Sequence, residues 1–327
     1  MAIDKLMGFG KKAKLSGFRM QFLLFTLVFT HALCAQDYVD VVKLNYNNTS
    51  LNTFKDHNAS TRVQELDLEL TMPLAINSST NFLTGFLYER IQTKLFADES
   101  ENVFSSVVLK VGFAKTYAGR WSGTYMLLPK IASDFQKISK KDFQLGGFFL
   151  LRYAKTEQLL YKVGLYANGE LFGPWIVPLL GMYYLSPTKK TEVNLTVPIV
   201  ADVNYAFRPR VAIGFNYSGQ VRTYHLTSTP TSDNPAYVAR ATNEVSTYLK
   251  FNLGKNLILQ TKVGHSAGRY YRVYDEDDKV SFGIPLVFVG DHRQQLNTDF
   301  KDGWVYQFLI MYRIYRDQSL DGQNKAN

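Results

Sequence analysis

The sequence predicts an all-β protein, an antiparallel up-and-down transmembrane β-barrel, and three observations predict it. Segments of about ten residues or more alternate apolar and polar side chains with a period of two. Aromatic residues are abundant, with 21 Tyr and 23 Phe beside 3 Trp, yet mean hydropathy is slightly negative. A bundle of membrane helices would push it well above zero, whereas each barrel strand carries one apolar and one polar face. Finally, the chain opens on a basic segment followed by an apolar run, the pattern of an export signal.

In that opening, Lys5, Lys11, Lys12, Lys14 and Arg19 precede the apolar run from Met20 to Leu33. Ala35 is small enough to precede a cleavage site, so residues 1–35 are expected to be a signal peptide, with Gln36 the first mature residue. The run is too short for a confident membrane anchor. Lipidation at Cys34 is disfavoured because bulky Leu33 stands before it. Cys34 is the single cysteine, so the mature chain is expected to lack disulfides and thiol chemistry. The formal net charge is +9 from 37 basic and 28 acidic residues. Subtracting the five basic residues and one acidic residue of the signal leaves a net of +5, scattered along the chain. Nucleic-acid binders concentrate such charge in a face or stripe, so that class is excluded.

Beyond residue 36 no run of about 18 apolar residues could form a spanning helix. Alternation dominates instead. Leu66, Leu68, Leu70 and Met72 oppose Glu65, Asp67, Glu69 and Thr71. Val107, Leu109, Val111 and Phe113 oppose Ser106, Lys110, Gly112 and Thr116. In 191–207, Val193, Leu195, Val197, Ile199, Val203, Tyr205 and Phe207 face away from Glu192, Asn194, Asp202 and Asn204. Val211, Ile213, Phe215, Tyr217 and Val221 oppose Ala212, Gly214, Asn216, Gln220 and Arg222, and Trp304 to Ile314 repeats the pattern. A soluble sandwich also alternates, but these segments exceed the usual five or six residues. Their apolar faces often end in aromatics (Tyr117, Tyr205, Phe207, Trp304, Tyr315), as interfacial girdles require. Tyr153, Tyr161, Tyr166, Tyr183 and Tyr184 are likewise expected in a girdle rather than a sugar-binding wall.

Turns come in two sizes. Ser186 to Lys190, Arg208-Pro209 and Gly254 to Asn256 are tight, while 47–61, 133–142, 227–237 and 290–303 are long and polar. Outer-membrane barrels keep short turns at one end and long loops at the other. The alternation slips near 190–210: either Pro198 divides that segment into two strands, or a neighbouring segment is not a full span. About fourteen segments are discernible, from which about twelve true spans are expected (range roughly 10–14) because such barrels prefer even numbers. One barrel domain over 36–316, followed by a polar tail over 317–327, completes the expected organisation.

The stretch Gly169 to Gly181 (GELFGPWIVPLLG), followed by a Tyr/Leu-rich strand, a Ser-Pro turn, Val197-Pro198 and Asp202-Val203-Asn204-Tyr205, resembles an uncharacterised family of outer-membrane β-barrel proteins from Bacteroidota. The likeness spans most of the mature chain in order of elements, and 169–224 is its specific part. It implies a barrel in the cell outer membrane, folded there by the barrel-assembly machinery, and nothing about mechanism. Physically, Gly173, Pro174, Pro178 and Gly181 read as a place where a strand starts, bends and lets something pack close.

Spacing does not support covalent chemistry. His265-Ser266 would point to opposite faces of a strand. His225-Leu226-Thr227 has the spacing of a dyad but a weak nucleophile, and reads as a histidine at a loop base. The histidines lack short ligand spacing, and Asp275-Glu276-Asp277-Asp278 lacks the staggered carboxylates and Gly turn of a calcium loop. No catalytic, cofactor or metal residue is therefore expected. The remaining candidates are charges on the polar faces: Asp67, Glu69, Lys110, Arg152, Lys162, Asp202, Arg222 and Lys262. They would either tune a channel or pair across a narrow interior. The expected role is a passive channel or small-ligand conduit. The alternatives are a barrel whose loops bind a partner or glycan and, least favoured, a lipid-modifying enzyme. Expected partners are outer-membrane lipid and a small solute or glycan.

Overall fold

The computed structural model describes residues 38–230 and 232–315. The export segment, Gln36 and the polar tail expected from sequence lie outside them. Among the described residues fourteen strands form one ring: β1 (Tyr38–Thr49), β2 (Gln64–Asn77), β3 (Thr80–Thr93), β4 (Asn102–Thr116), β5 (Trp121–Ser133), β6 (Phe143–Ala154) and β7 (Leu159–Glu170) make the first half. The second half is β8 (Gly173–Leu185), β9 (Thr191–Val197), β10 (Val200–Arg208), β11 (Val211–Leu226), β12 (Ala236–Leu253), β13 (Leu257–Ser266) and β14 (Trp304–Tyr315). Each pairs antiparallel with the next, and β14 pairs back with β1 from Tyr38↔Tyr315 to Thr49↔Val305. Closure pairs the strand edges around most of the ring, which is what lets backbone polar groups cross a bilayer.

The expected twelve spans are corrected to fourteen. Pro198 accounts for one of the added strands: Pro198 and Ile199 form a two-residue connection between β9 and β10, so the 191–207 segment is two short strands. Loop parity is then regular. The first strand's start, the last strand's end and six tight turns lie at one end of the ring; the five longer connections lie at the other, here called the outer end, together with the two-residue links 171–172 and 198–199.

The alternation sorts as expected over most of the wall. Leu66, Met72, Leu109, Val111, Phe113, Ile213, Phe215, Tyr306 and Phe308 are exposed on the outside, while Ser106, Asn204, Asn216 and Gln260 are buried within. Trp121 stacks obliquely on Tyr153 at the tight-turn rim, ring centroids 5.1 Å apart. Tyr205, Phe207 and Tyr315 are exposed at the same rim, and Trp304 lies at the outer rim. The girdle expectation is corrected for two residues. Tyr183 is buried and donates to Glu192, and Tyr166 packs against an interior apolar cluster.

Above Ser218 the wall changes. β9 and β10 have 7 and 9 residues, whereas β8 and β11 beside them have 13 and 16. Pairing of β11 with β10 stops at Val200↔Ser218, yet β11 pairs with β12 up to Leu226↔Ala236. A short strand, Tyr270–Asp275, extends this pair by bonding to Ala236–Ala241. These three segments form a tongue that leaves the wall. Its tip reaches the far side of the ring, where His225 lies beside Ser133 of β5.

Both tongue faces are covered. Tyr224, Leu226, Val238, Tyr271 and Val273 pack with Ile91, Leu95 and Phe104. Tyr237, Ala239 and Tyr274 pack with Phe172, Trp175, Val177 and Leu179. Val221 and Ile199, expected on the lipid face, instead lie against this second interior cluster. Period two records which residues share a face, but not whether the strand stays in the wall. At the bend, a Cβ on Gly219 would stand 3.0 Å from the Pro198 carbonyl oxygen, and Gly268 holds a φ of +70°, a conformation glycine adopts without penalty.

Candidate functional site

The tongue is held across the lumen by buried charge. Arg240 of β12 donates both Nη2 bonds to Glu65 of β2 at 2.6 and 2.7 Å, and Nη1 to Glu89 of β3 at 3.0 Å. Its Nε donates to the Tyr271 hydroxyl at 3.1 Å, and the residue is 3% exposed. Glu89 also accepts from Arg222 and from Tyr224. The carboxylate oxygens of Glu65, Asp67 and Glu89 lie within 4.8 Å of one another, and the two guanidinium groups pair with Glu65 and Glu89 of this cluster. On the opposite side, Glu170 at the end of β7 accepts from the Thr223 backbone N–H at 2.8 Å and its hydroxyl at 2.6 Å, and pairs with Lys130 at 3.3 Å. A fork-shaped guanidinium suits such a junction because one group can satisfy two carboxylates and a phenol.

Beneath and beside the tongue lies a cavity of about 1030 Å³. Trp175, Val177, Ile199, Tyr217, Val221 and Phe288 form its apolar part, and Glu69, Lys110, Lys130 and Arg222 its polar end. An apolar chamber with a few clustered polar groups has the make-up of a small-molecule pocket.

The eight charges singled out from sequence fall as follows. Lys110 pairs with Glu69 and donates to Thr71 at 2.9 Å. Asp67 accepts from Asn45 at 2.8 Å, and Arg152 donates to Thr124 at 2.8 Å. Lys162 donates to Asn194 at 2.5 Å. Asp202 accepts from Tyr248 at 2.8 Å and from Asn216 at 3.2 Å, and the Asn216 side-chain Oδ1 accepts from Lys262 at 3.2 Å. Arg222 lies on the tongue rather than the wall. Nearer the tight turns, Tyr38 of β1 donates to Glu192 of β9 at 2.6 Å. Those strands are six places apart around the ring, so this bond spans the lumen.

Sequence reading included Glu65 only as part of a polar face and missed Glu89, Arg240, Lys130, Glu170 and Trp175 as site residues. A signal existed. Ala236 to Ala241 is small or apolar on both strand faces apart from Arg240, and such runs mark strands covered on both sides.

Around the Gly-Pro stretch, the geometry is specific. Gly173 opens β8 with a φ of +130°, and a Cβ there would stand 2.7 Å from the Val280 carbonyl oxygen. At Gly181 a Cβ would stand 2.1 Å from the Leu195 carbonyl oxygen of β9. Pro174 and Pro178 occupy alternate positions of β8 above Leu180, the last residue paired to β9. Counting from the tight β7–β8 hairpin, those positions turn their backbone nitrogens away from β7 toward the edge that β9 leaves free. Proline suits such an edge because it has no donor to leave unpaired.

The outer connection 267–303 is fastened by carboxylates. Burial raises the Asp299 carboxyl, but hydrogen bonds from Arg272 outweigh that and hold it below its ordinary value. Burial likewise opposes Asp302, and the backbone N–H groups of Arg269 and Gly268 bring it down. His225 and Thr227 engage different groups: His225 Nδ1 lies 2.7 Å from Asp142, whereas Thr227 donates to Asp134 at 2.9 Å. In the acidic run, Glu276 pairs with Lys141 at 3.3 Å, and Asp278 accepts from the Gln294 backbone.

A family model described as Domain of unknown function (DUF6268) matches residues 33–283. The chain belongs to this family. No curated protein matches the sequence. Among solved structures, this DUF6268 barrel is similar to the COG4313 outer membrane channel from Pseudomonas putida F1. That likeness has 10% identity and a TM-score of 0.43, over 86% of this chain and 97% of that one. The KdgM porin gives 9% identity and a TM-score of 0.35, over 83% and 98%. The toluene transporter TodX of P. putida gives 11% and 0.36, over 85% and 90%.

Proposed function

We propose that this barrel is a passive outer-membrane conduit for small molecules, working without covalent chemistry, whose lumen is gated by the tongue. One observation carries the reading: a closed fourteen-stranded ring, apolar outside, encloses a chamber between an inward-turned continuation of its own wall and a polar inner end. A barrel that served only as an anchor would have no need of such a chamber. The chain reaches the outer membrane through its cleaved signal, and lipid is its surrounding partner. The eight interior charges set the polarity of the path once the tongue moves, and they pair with neighbours while it is docked.

The test is current through the purified protein in a planar bilayer, together with swelling of vesicles in an isotonic sugar. Stepwise ohmic openings or sugar uptake support the conduit, and silence in both across a broad salt range overturns it. The second reading, a barrel that binds a partner or glycan with its outer loops, is favoured by the packed apolar clusters that fill the outer half. It predicts that silence together with capture of a ligand by the outer face.

A further inference from the structure

Between β8 and β11 the ring has a window. Pairing of β8 with β9 begins only at Leu180, so residues 173–179 have no long wall strand on that side. At about 3.3 Å per residue, this edge is roughly 20 Å tall. The window is filled by an arm from the outer connection, the hairpin of Phe282–Ile284 and Val287–Val289. Among the described residues, the arm's strands pair with each other and, at one position, with the wall: Gly283 lies parallel beside Trp175. Pro174 and Pro178 explain so slight an attachment, because Ile176 is the one residue between them whose N–H faces the arm.

The arm's two sides meet different surroundings. Inward, Pro285 and Phe288 line the 1030 Å³ cavity beside Trp175 and Ile199. Outward, Leu286 is completely exposed, and Phe282, Val287 and Val289 are exposed too. Leu180 and Val197, where β8 and β9 begin to pair, are exposed as well. The arm is thus an apolar partition between an apolar chamber and the bilayer. Water would find it costly to wet either side at about 25 cal/mol per Å², whereas an oil-like molecule already dissolved in the membrane would not.

We propose that the 282–289 arm is a lateral door, through which small uncharged apolar compounds pass between the bilayer and the cavity. This rests on the conduit reading and names its substrate class. Such a molecule never crosses the tongue. It moves sideways past Pro198, where the wall is lowest.

The test fastens the door. Trp175→Cys with Gly283→Cys, in a Cys34→Ser background, places two thiols at facing positions, within the separation a disulfide needs. A Cβ at Gly283 would meet the Trp175 ring, which the partner substitution removes, and the edge of Phe288 at 3.0 Å, a side chain that can shift. The probe is N-phenyl-1-naphthylamine, supplied in lipid vesicles containing the protein, with fluorescence followed by stopped flow. The reduced protein should load the probe, and oxidation should slow loading at least tenfold, reversibly with reductant. Ala241→Phe, which narrows the cavity from the tongue side, should reduce the amount of probe loaded in the otherwise native protein. Equal loading rates in oxidised and reduced protein overturn the door, as does a native protein that takes up no probe. Sugar uptake by vesicles reports separately on the conduit: uptake with ungated probe loading removes the door and leaves the conduit. Gated loading without sugar uptake or current leaves a lateral binding site and removes the through-path.

Discussion

Arg240→Met should release the tongue. In the native protein this guanidinium satisfies Glu65 with two bonds, Glu89 with one and Tyr271 with one. Glu89 keeps Arg222 and Tyr224 after the change. Glu65, itself buried, keeps no cation among the described side chains. Removing one member of a buried ion pair costs about 3–5 kcal/mol, chiefly because the other charge is stranded. If the tongue lifts, water reaches Glu65 and the penalty disappears, so this energy acts on the docking equilibrium itself. At about 1.4 kcal/mol per factor of ten, the undocked fraction rises by roughly 10² to 10³·⁵. Single-channel recording reads that change as open probability, and hydrogen exchange at residues 219–226 and 236–241 reads it directly. The double variant Arg240→Met/Glu65→Leu removes both partners and should return both readouts most of the way toward native, since apolar replacement of a whole pair is often near neutral. If Arg240→Met leaves exchange and conductance unchanged, the tether argument is wrong. Equal disruption by the single and double variants would show that packing, not charge, holds the tongue.

Three other perturbations test separate parts of the structure. Acid should loosen the 267–303 connection: Asp299 and Asp302 have folded values below their ordinary ones. Their stabilisation is therefore intact above about pH 4 and is lost as pH falls through those lower values. Protease cleavage at Arg293 and Lys301 should stay constant from neutral pH down to about 4, and pulse labelling below that should show opening; loosening already at pH 6 contradicts the assignment. Gly173→Ala forces a side chain onto a φ of +130° and into the Val280 carbonyl, at a cost of about 1–3 kcal/mol. The same connection should then become cleavable while the barrel's heat-modifiable gel migration persists. Leu109→Lys puts a charge at the centre of β4 on the exposed outer face, which should cost about 2–4 kcal/mol of folding stability in vesicles. A change under about 0.5 kcal/mol would place that face in water rather than lipid.

What could be read from the sequence follows from what alternation encodes. Leu66 to Met72 and Val107 to Phe113 showed their outer faces because a strand with lipid on one side and a wet interior on the other must alternate. The tongue escaped notice because Val221 keeps the phase of Ile213 and Phe215 after the strand has left the wall. The strand count failed at Pro198, where an apolar segment runs through a turn of two residues without a polar break. The eight charges were placed on interior faces from phase alone. Their partners were not legible, since Arg240 and Glu65 are 175 residues apart and nothing local marks either as half of a pair. The Gly-Pro stretch was recognisable as a kink with close packing; that the packed group would be Val280, over a hundred residues later, was not.

The tongue is a continuation of β11 and β12, and this constrains the order in which the molecule can be built. Glu65 and Glu89 belong to the second and third strands, while their cations come from the eleventh and twelfth. The early strands must therefore wait with unpaired carboxylates until nearly the whole chain has been laid into the wall. Contacts so distant in sequence form slowly, since a long loop must close before they contribute. Until then those groups have water from the unfilled interior around them. The buried charges consequently reach their places from the aqueous side and never through lipid, and docking of the tongue becomes the step that dries the outer half of a ring already formed.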